Sequence, residues 1–151
     1  MTTHKLVGTS KPRRRFKVIL LIAHPNIDPK KISKVLSLAP HFSSHKGHAI
    51  VTPTGQILPS IARISKWNHI FKFNRTTTPI DIAIGNIAAS LASHKAFFRK
   101  LARESGSAQL YVQLPGDVNN GSAITWELLQ QLSDLRMGLG IEVFPKSPDP
   151  L

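Results

Sequence analysis

Histidines are the side chains of this sequence best able to bind a metal ion or to move protons. Three of the seven fall close together: His41, His45 and His48. Zinc takes three or four ligands in a tetrahedral arrangement, so this spacing, with His24 as a further candidate, is compatible with a zinc site. The chain has no cysteine, however, and no Asp or Glu lies between Asp28 and Asp81. We therefore expect solvated loop histidines, with zinc binding as the alternative.

His94 invites a catalytic interpretation, because it lies on the apolar stripe of a predicted helix. A general base needs a carboxylate or hydroxyl partner within hydrogen-bond reach. Asp81 is more than three turns away on the same predicted helix, so it cannot serve. We therefore predict a neutral histidine at the edge of the core.

No motif of a known catalytic site occurs in the chain. It lacks a Gly-x-Ser-x-Gly nucleophile elbow, a glycine-rich phosphate loop and a His-Glu-x-x-His helix. Glu127 and Asp134 lie seven residues apart on one predicted helix, and we expect both to face solvent. We predict neither catalytic residues nor a cofactor, and hence a protein that is not an enzyme.

Positive charge is the most informative feature of the composition. The chain holds 20 Lys and Arg against 8 Asp and Glu, a formal net charge of +12. Residues 1–103 carry 18 basic and 2 acidic side chains, whereas residues 104–151 carry 2 basic and 6 acidic ones. Such a field attracts nucleic acid, an anionic membrane surface or an acidic protein face. The alternative is that these scattered cations simply lie on solvated faces.

Two groups of basic residues could neutralise phosphates: Arg13, Arg14 and Arg15, and Lys95, Arg99 and Arg103. For the second group, at helical spacing, we favour a solvated face whose cations complement the helix C-terminal dipole. For the arginines the nucleic-acid role stays open. Trp67, Phe71 and Phe73 could stack on bases, but their alternation favours a packed strand.

Length and apolar content indicate one soluble domain. A chain of 151 residues with 41% hydrophobic and 19% charged residues is neither disordered nor too small for a core. The longest apolar run, Val18 to Ala23, is short of the ~20 residues that span a bilayer. Lys17 and the following His24-Pro25 argue against a signal peptide. We predict a cytoplasmic domain at residues 15–145, with a flexible basic arm at 1–14 and a proline-containing tail at 146–151.

Hydrophobic periodicity predicts the elements of the first half. They are a strand at Phe16–Ala23, a helix from Asp28-Pro29 to Pro40, a polar turn at His41–Gly47, a hairpin around Pro53-Thr54-Gly55 and an extended segment at Ile61–Phe73. In the second half, a long helix begins at Thr78-Pro79, carries one apolar stripe from Ile80 to Leu101 and is capped by Gly106.

A half-buried strand, Ala108–Leu114, follows the long helix. Thr125 caps a last helix that Gly138 or Gly140 ends, and Leu139–Phe144 is a final strand. The predicted order is therefore β-α-β-β-α-β-α-β. We predict an α+β fold with a mainly antiparallel sheet, helices on one face, and a ferredoxin-like core extended by one αβ pair.

Several short motifs occur along this pattern: His24-Pro25, Asp28-Pro29, Lys46-Gly47, Trp67, Leu110-Tyr111-Val112 and Ile141-Glu142-Val143-Phe144. As a set they resemble a bacterial family catalogued as domain of unknown function 4279. The resemblance covers about residues 16–145 and implies a small α+β domain with no established activity. It marks His24, Pro25, Lys46, Gly47 and Trp67 as family positions of unknown role.

The sequence leads us to expect a non-catalytic binding or interaction domain with a strongly basic surface. Open sheet edges, which must be paired, covered or charged, suggest a homodimer. One alternative is a nucleic-acid-binding protein that uses the N-terminal basic arm. Another is an immunity-type inhibitor of an acidic protein partner.

Overall fold

The computed structural model describes residues 15–116 and 121–144. Its strands are β1 (Arg15–His24), β2 (Phe42–Ser44), β3 (Ala49–Val51), β4 (Ile57–Ile61), β5 (Ser65–Asn74), β6 (Ser107–Pro115) and β7 (Met137–Phe144). Its helices are α1 (Pro29–Leu36), α2 (Ile80–Leu91), α3 (Lys95–Arg103) and α4 (Trp126–Asp134), with a 3-10 turn at Ala92–His94. The predicted arm at 1–14 and tail at 146–151 lie outside the described residues. The α+β class is confirmed.

Five strands form one sheet in the order β2-β5-β1-β6-β7, and β3 and β4 pair as a separate hairpin. β1 pairs antiparallel with both β5 and β6, and β2 pairs antiparallel with β5. The pairing of β6 with β7, which α4 connects, is parallel. The prediction of a mainly antiparallel sheet is therefore confirmed.

The ferredoxin-like core is also confirmed: β2, β5, β1 and β6 lie side by side in that order, and each neighbouring pair is antiparallel. In a split β-α-β unit the two strands joined through the helix run parallel with another strand between them; β1 and β2, joined through α1, are arranged in this way on either side of β5. The second such unit consists of β5 and β6, which are joined through α2 and α3 and lie on either side of β1, and α4 with β7 is the additional αβ pair. The predicted order β-α-β-β-α-β-α-β is therefore that of the main sheet, and the separate β3–β4 hairpin is inserted between β2 and β5.

The sheet buries one face against the helices. Alternate side chains of β1 and β6 are at most 6% exposed: Phe16, Val18, Leu20, Ile22, Ala108, Leu110, Val112 and Leu114. They form one cluster with buried residues of all four helices, among them Ile32, Ile84, Phe98 and Leu132. The prediction that the helices pack on one face is therefore confirmed.

Helix α1 begins as its sequence predicts but ends earlier. Asp28 accepts a hydrogen bond from the backbone N–H of Lys30 at 3.0 Å, and Pro29 takes the first helical position. The helix ends where Ser37 turns left-handed at φ 54°, before Pro40 is reached. The polar turn predicted for His41–Gly47 is also wrong in part, because β2 pairs there with β5. Three residues are too short a run to show strand periodicity.

The long helix predicted after Thr78 is broken. α2 ends at Leu91, a 3-10 turn follows, and α3 begins at Lys95. The stripe continues across the break, since Ile84, Ile87 and Leu91 before it and Phe98 and Leu101 after it are all buried. The periodicity therefore predicted burial correctly but not the continuity of the backbone.

Two glycine positions were also assigned wrongly. α4 is capped by Thr125, as predicted, but it ends at Asp134 with Arg136 left-handed at φ 53°. Gly138 and Gly140 lie inside β7, beside Gln109 and Tyr111 of β6. These glycines leave room for neighbouring side chains and do not terminate the helix. None of the helices in the described ranges is long and apolar enough to cross a membrane.

Candidate binding surface

His24, the last residue of β1, is a buried side chain with three polar contacts. It is 5% exposed. Its Nδ1 accepts hydrogen bonds from the backbone N–H groups of Asn26 at 3.1 Å and Ile27 at 2.9 Å. Its Nε2 lies 2.9 Å from Oε2 of Glu104, just after α3. Because Nδ1 accepts twice, the ring proton belongs on Nε2, and the neutral imidazole donates to the carboxylate.

This histidine and carboxylate line a cleft of about 270 Å³ together with Asp28, Lys31 and Lys100. A general base needs a nitrogen lone pair that faces a substrate. Both nitrogens of His24 are occupied within the protein, so the ring fastens the β1–α1 loop to the end of α3. Pro25 lies in that same loop, where its ring fixes φ. The geometry supports a structural function for this pair.

The other family positions also have structural contacts. Trp67 is 1% exposed, and its Nε1 donates to Oγ of Ser33 at 2.9 Å, which ties β5 to α1. The backbone N–H of Lys46 donates to Oγ of the buried Ser65 at 3.2 Å. Gly47 adopts φ 82°, and its N–H donates to the carbonyl of Ala62 at 2.8 Å. These positions hold the hairpin and α1 against the sheet.

The three loop histidines do not assemble into a metal site. His45 and His48 stack with their ring centroids 4.6 Å apart. No group of three His, Asp or Glu side chains that could hold a metal ion occurs within residues 15–116 and 121–144. Within these residues the structure therefore does not bring His41, His45 and His48 together as a set of three ligands.

The cations of α3 mostly bind neighbouring protein groups. Nζ of Lys95 lies 3.7 Å from Oδ2 of Asp134, and Nε of Arg99 donates to the Asp134 carbonyl at 3.2 Å. Nζ of Lys100 lies 3.8 Å from Oε1 of Glu104. Arg103 is exposed in the last turn of the helix. These contacts join α3 to the end of α4 and favour the solvated helix face over a phosphate site.

The aromatic residues proposed for stacking lie on the helix side of β5. Their strand positions are opposite the buried Phe16, Val18 and Ile22 of β1. Trp67 is in the core, and Phe71 and Phe73 pack against its edge. The packed-strand interpretation is therefore confirmed.

The second face of the sheet carries a different set of side chains, and we call it the open face. It consists of the residues that alternate with the core positions: Arg15, Lys17, Ile19, Leu21 and Ala23 of β1, Lys66, Asn68, Ile70 and Lys72 of β5, Ser107, Gln109, Tyr111 and Gln113 of β6, and Glu142 of β7. None of them belongs to the buried core cluster, and no described helix has its buried residues on this side.

Strand register arranges the open face in rows. Lys17 lies opposite Lys72 at one end, and Ala23 lies opposite Lys66 at the other. Between these ends, Ile19 lies opposite both Ile70 and Tyr111. All three lysines are exposed, whereas the apolar row is half-buried. The open face is therefore an apolar centre with cations at both ends.

The open face has an aromatic ring at its centre and a concavity toward the end that Lys66 occupies. The ring of Tyr111 lies over Gly140, where any Cβ would collide with it. The concavity, of about 390 Å³, is lined by Leu21, Phe42 and Asn68 among others. Oδ1 of Asn68 is the one buried side-chain oxygen or nitrogen within the described ranges that lacks a hydrogen-bond partner. Such an unsatisfied group marks a place where a bound molecule could add a contact.

Sequence reasoning did not find this surface. Lys17 is far from Lys66 and Lys72 along the chain, and each of the three looks like an isolated polar residue within a strand. Only the antiparallel register brings them onto one face. One sequence signal could have indicated this face: Lys66, Asn68, Ile70 and Lys72 alternate with the aromatic residues of β5 and must therefore point to the opposite side of the sheet.

Comparisons with known proteins match a family model but no characterised relative. No curated protein and no solved structure matches the chain. The family model matches residues 14–144, a range that includes every described strand and helix. Over this span the chain belongs to the family described as "Domain of unknown function (DUF4279)".

Proposed function

We propose that this chain is a non-catalytic binding module, and that the open face binds single-stranded nucleic acid. The observation that carries the proposal is the arrangement of exposed lysines at both ends of the open face, on either side of an apolar row that includes Tyr111. Sheet surfaces of this composition bind single strands, because cations contact phosphates while apolar and aromatic side chains contact the bases.

The charge of the open face supports an anionic ligand. Arg15, Lys17, Lys66 and Lys72 are exposed there. Glu142 is the one carboxylate of the open face as described, and its Oε2 accepts a hydrogen bond from Nε2 of Gln113 at 3.1 Å. A surface with four cations and one internally bonded carboxylate attracts phosphates at low salt.

The basic arm would extend the same surface. Arg13 and Arg14 lie outside the described residues, but they continue directly from Arg15 at the start of β1. Of these three arginines, Arg15 lies at the end of the open face that Lys17 and Lys72 occupy, and the proposal adds Arg13 and Arg14 as further phosphate contacts. A cytoplasmic location, which the sequence predicts, would give such a module access to nucleic acid.

The experiment is a titration of a fluorescein-labelled single-stranded oligonucleotide, followed by anisotropy at several salt concentrations. Changing Lys17 and Lys72 to Ala together should weaken binding at least about tenfold and reduce the log–log salt slope by about 1.4. The matched control changes Lys30 and Lys34 of α1 to Ala, an equal loss of charge on the helix side. It should change the affinity by much less.

Three outcomes would contradict the proposal. They are no binding at low salt, equal weakening in both double variants, and tighter binding to a duplex of the same sequence. A Tyr111→Ser variant tests the contact with bases separately, because it should weaken binding without changing the salt slope.

The second candidate function is inhibition of an acidic protein partner, and the β3–β4 hairpin is the feature that favours it. Ile57 and Ile61 of the hairpin are 70% and 63% exposed. Arg63 follows them, and no carboxylate occurs between Asp28 and Asp81. An acidic partner captured from the source cell should be lost when Ile57 and Ile61 become Ser and retained by the Lys17/Lys72 variant. The reverse result would assign that capture to the open face.

A further inference from the structure

One long edge of the main sheet is left without a strand partner. β7 ends the strand order, and β6 is its one strand neighbour in the part of the chain that the structure describes. The outer side of Met137–Phe144 therefore presents backbone N–H and C=O groups along eight residues. An edge of this length is a template for another strand.

The sequence of β7 has few features that block such pairing, and its one charged residue is Glu142. Proteins usually protect edges with lysine, proline, a bulge or a very short strand. Met137–Phe144 contains no Lys, Arg or Pro, although the chain has 20 basic residues, and its register with β6 is continuous. The opposite edge strand, β2, has only three residues. The two edges of the sheet are thus protected very differently.

Apolar side chains accompany the free edge. Ile141 and Val143 pair in register with Val112 and Leu114, so they lie on the helix side of the sheet. The partners on β6 are buried, whereas Ile141 and Val143 are 61% and 55% exposed. Both line an apolar groove with Ile80. A strand added at this edge would cover them.

We propose that a second copy of this chain binds at this edge, so that the two β7 strands pair antiparallel about a two-fold axis. An isologous contact of this kind needs only one self-complementary strand. β7 carries a single charged side chain, Glu142, so pairing two copies of this strand brings fewer like charges together than contact between the strongly basic residues 1–103 would. The chain's own tail is a poor occupant, since Pro145, Pro148 and Pro150 have no N–H to donate.

The proposed pairing has a consequence for the open face. A two-fold axis that relates antiparallel edge strands stands perpendicular to the sheet, so the same face of each copy lies on the same side. Two five-stranded sheets then join into one, and the two open faces form one continuous surface. This inference does not depend on nucleic-acid binding, and the test of one can fail without the other.

The first test is the oligomeric state of the full chain, by light scattering coupled to gel filtration or by analytical ultracentrifugation over a range of concentrations. The chain should be a dimer. Ile141→Lys should raise the dissociation constant at least about tenfold, because a charge on the paired strand must be buried. The matched control, Ile57→Lys on the hairpin, should leave the dimer intact, and circular dichroism should show both variants folded.

Three results overturn the proposal. They are a monomer at all concentrations, an Ile141→Lys variant that dimerises like the unmodified chain, and dissociation by Ile57→Lys. Each of them removes β7 as the interface.

Cysteine crosslinking supplies an independent measurement. The chain has no cysteine, so one introduced cysteine is its only thiol. A residue next to the two-fold axis faces its own copy, within the Cα separation of roughly 7 Å that a disulfide tolerates. At least one of the single variants Leu139→Cys, Ile141→Cys, Glu142→Cys and Val143→Cys should crosslink rapidly, and Ile57→Cys should not. Equal slow crosslinking of all five overturns the proposal.

Discussion

At the scale of single residues, the structural function of His24 is explained by its hydrogen bonds to the backbone. The loop after β1 must turn toward α1, and this leaves the N–H groups of Asn26 and Ile27 without strand or helix partners. His24 accepts both at Nδ1 and directs its Nε2 proton to Glu104. Buried backbone donors that lose their acceptor cost about 1–3 kcal/mol each. The sequence could mark His24 as notable but could not show that both nitrogens are used within the fold.

Replacing His24 should therefore destabilise the protein. His24→Ala removes the acceptor of two backbone N–H groups from a site that is 5% exposed, and we expect the free energy of unfolding to fall by about 2–4 kcal/mol. His24→Asn places a carbonyl oxygen near the position of Nδ1, so it should recover part of this loss. Urea denaturation followed by circular dichroism measures both.

The half-buried His94 provides the control for this prediction. It lies in the 3-10 turn, and His94→Ala should cost less than about 1 kcal/mol. If His24→Asn were as damaging as His24→Ala, hydrogen bonding at Nδ1 would not be what holds the loop.

At the scale of elements, most strands and helices follow from local patterns, and the errors occur where neighbours decide the backbone. The six apolar residues Val18 to Ala23 correctly predict β1, but a run that is apolar at every position cannot show which face is covered. Ile19 and Leu21 lie on the open face, and only the cross-strand register establishes this. The lysines of the open face are neighbours because of the same pairing between β1 and β5. No local sequence pattern indicates which strands pair.

The end of α3 shows how a correct signal was assigned to the wrong residue. Gly106 was predicted as the cap, but Ser105 is the left-handed residue, at φ 65°. The N–H of Gly106 donates to the Leu101 carbonyl at 2.7 Å, and that of Ser105 donates to Ala102 at 3.2 Å. These are the two bonds of a Schellman motif. Gly106 is small for another reason, since a Cβ there would meet the Leu101 carbonyl oxygen at 2.8 Å.

Two substitutions at this helix end should therefore act in opposite directions. Ser105→Gly relieves a left-handed residue with a Cβ and should stabilise the protein by up to about 1 kcal/mol. Gly106→Ala forces a Cβ against two backbone oxygens, of Leu101 and Ala23, and should destabilise it by about 1–3 kcal/mol. Thermal unfolding compares both with the unmodified chain. A stabilised Gly106→Ala would show that the backbone here can move apart without cost.

At the scale of the whole molecule, charge and topology separate into two regions. Residues 1–103, which are mostly basic among the charged residues, include β1 and β5 and therefore the lysines at both ends of the open face. Residues 104–151, in which acidic residues outnumber basic ones, include α4 and the edge strand β7. The basic open face and the edge at which we propose self-association are therefore at different places on the fold. This separation is consistent with a module that binds a polyanion on one side and its own copy along one edge.

Because of its excess of positive charge, the protein should become more stable when salt is added. A protein held together by ion pairs would become less stable. The ion pairs Lys95–Asp134 and Lys100–Glu104 are each about half exposed, and such pairs contribute at most about 1 kcal/mol. Repulsion among 20 cations with 8 anions acts over longer distances, and added salt shortens its range from about 20 Å to below about 8 Å.

We expect Tm to rise by about 2–5 °C between low and moderate sodium chloride. Scanning calorimetry at a concentration where the oligomeric state is constant measures this, and the Lys30/Lys34 double alanine variant, with a lower net charge, should gain less. A Tm that falls with added chloride would mean that the attractive pairs outweigh the repulsion.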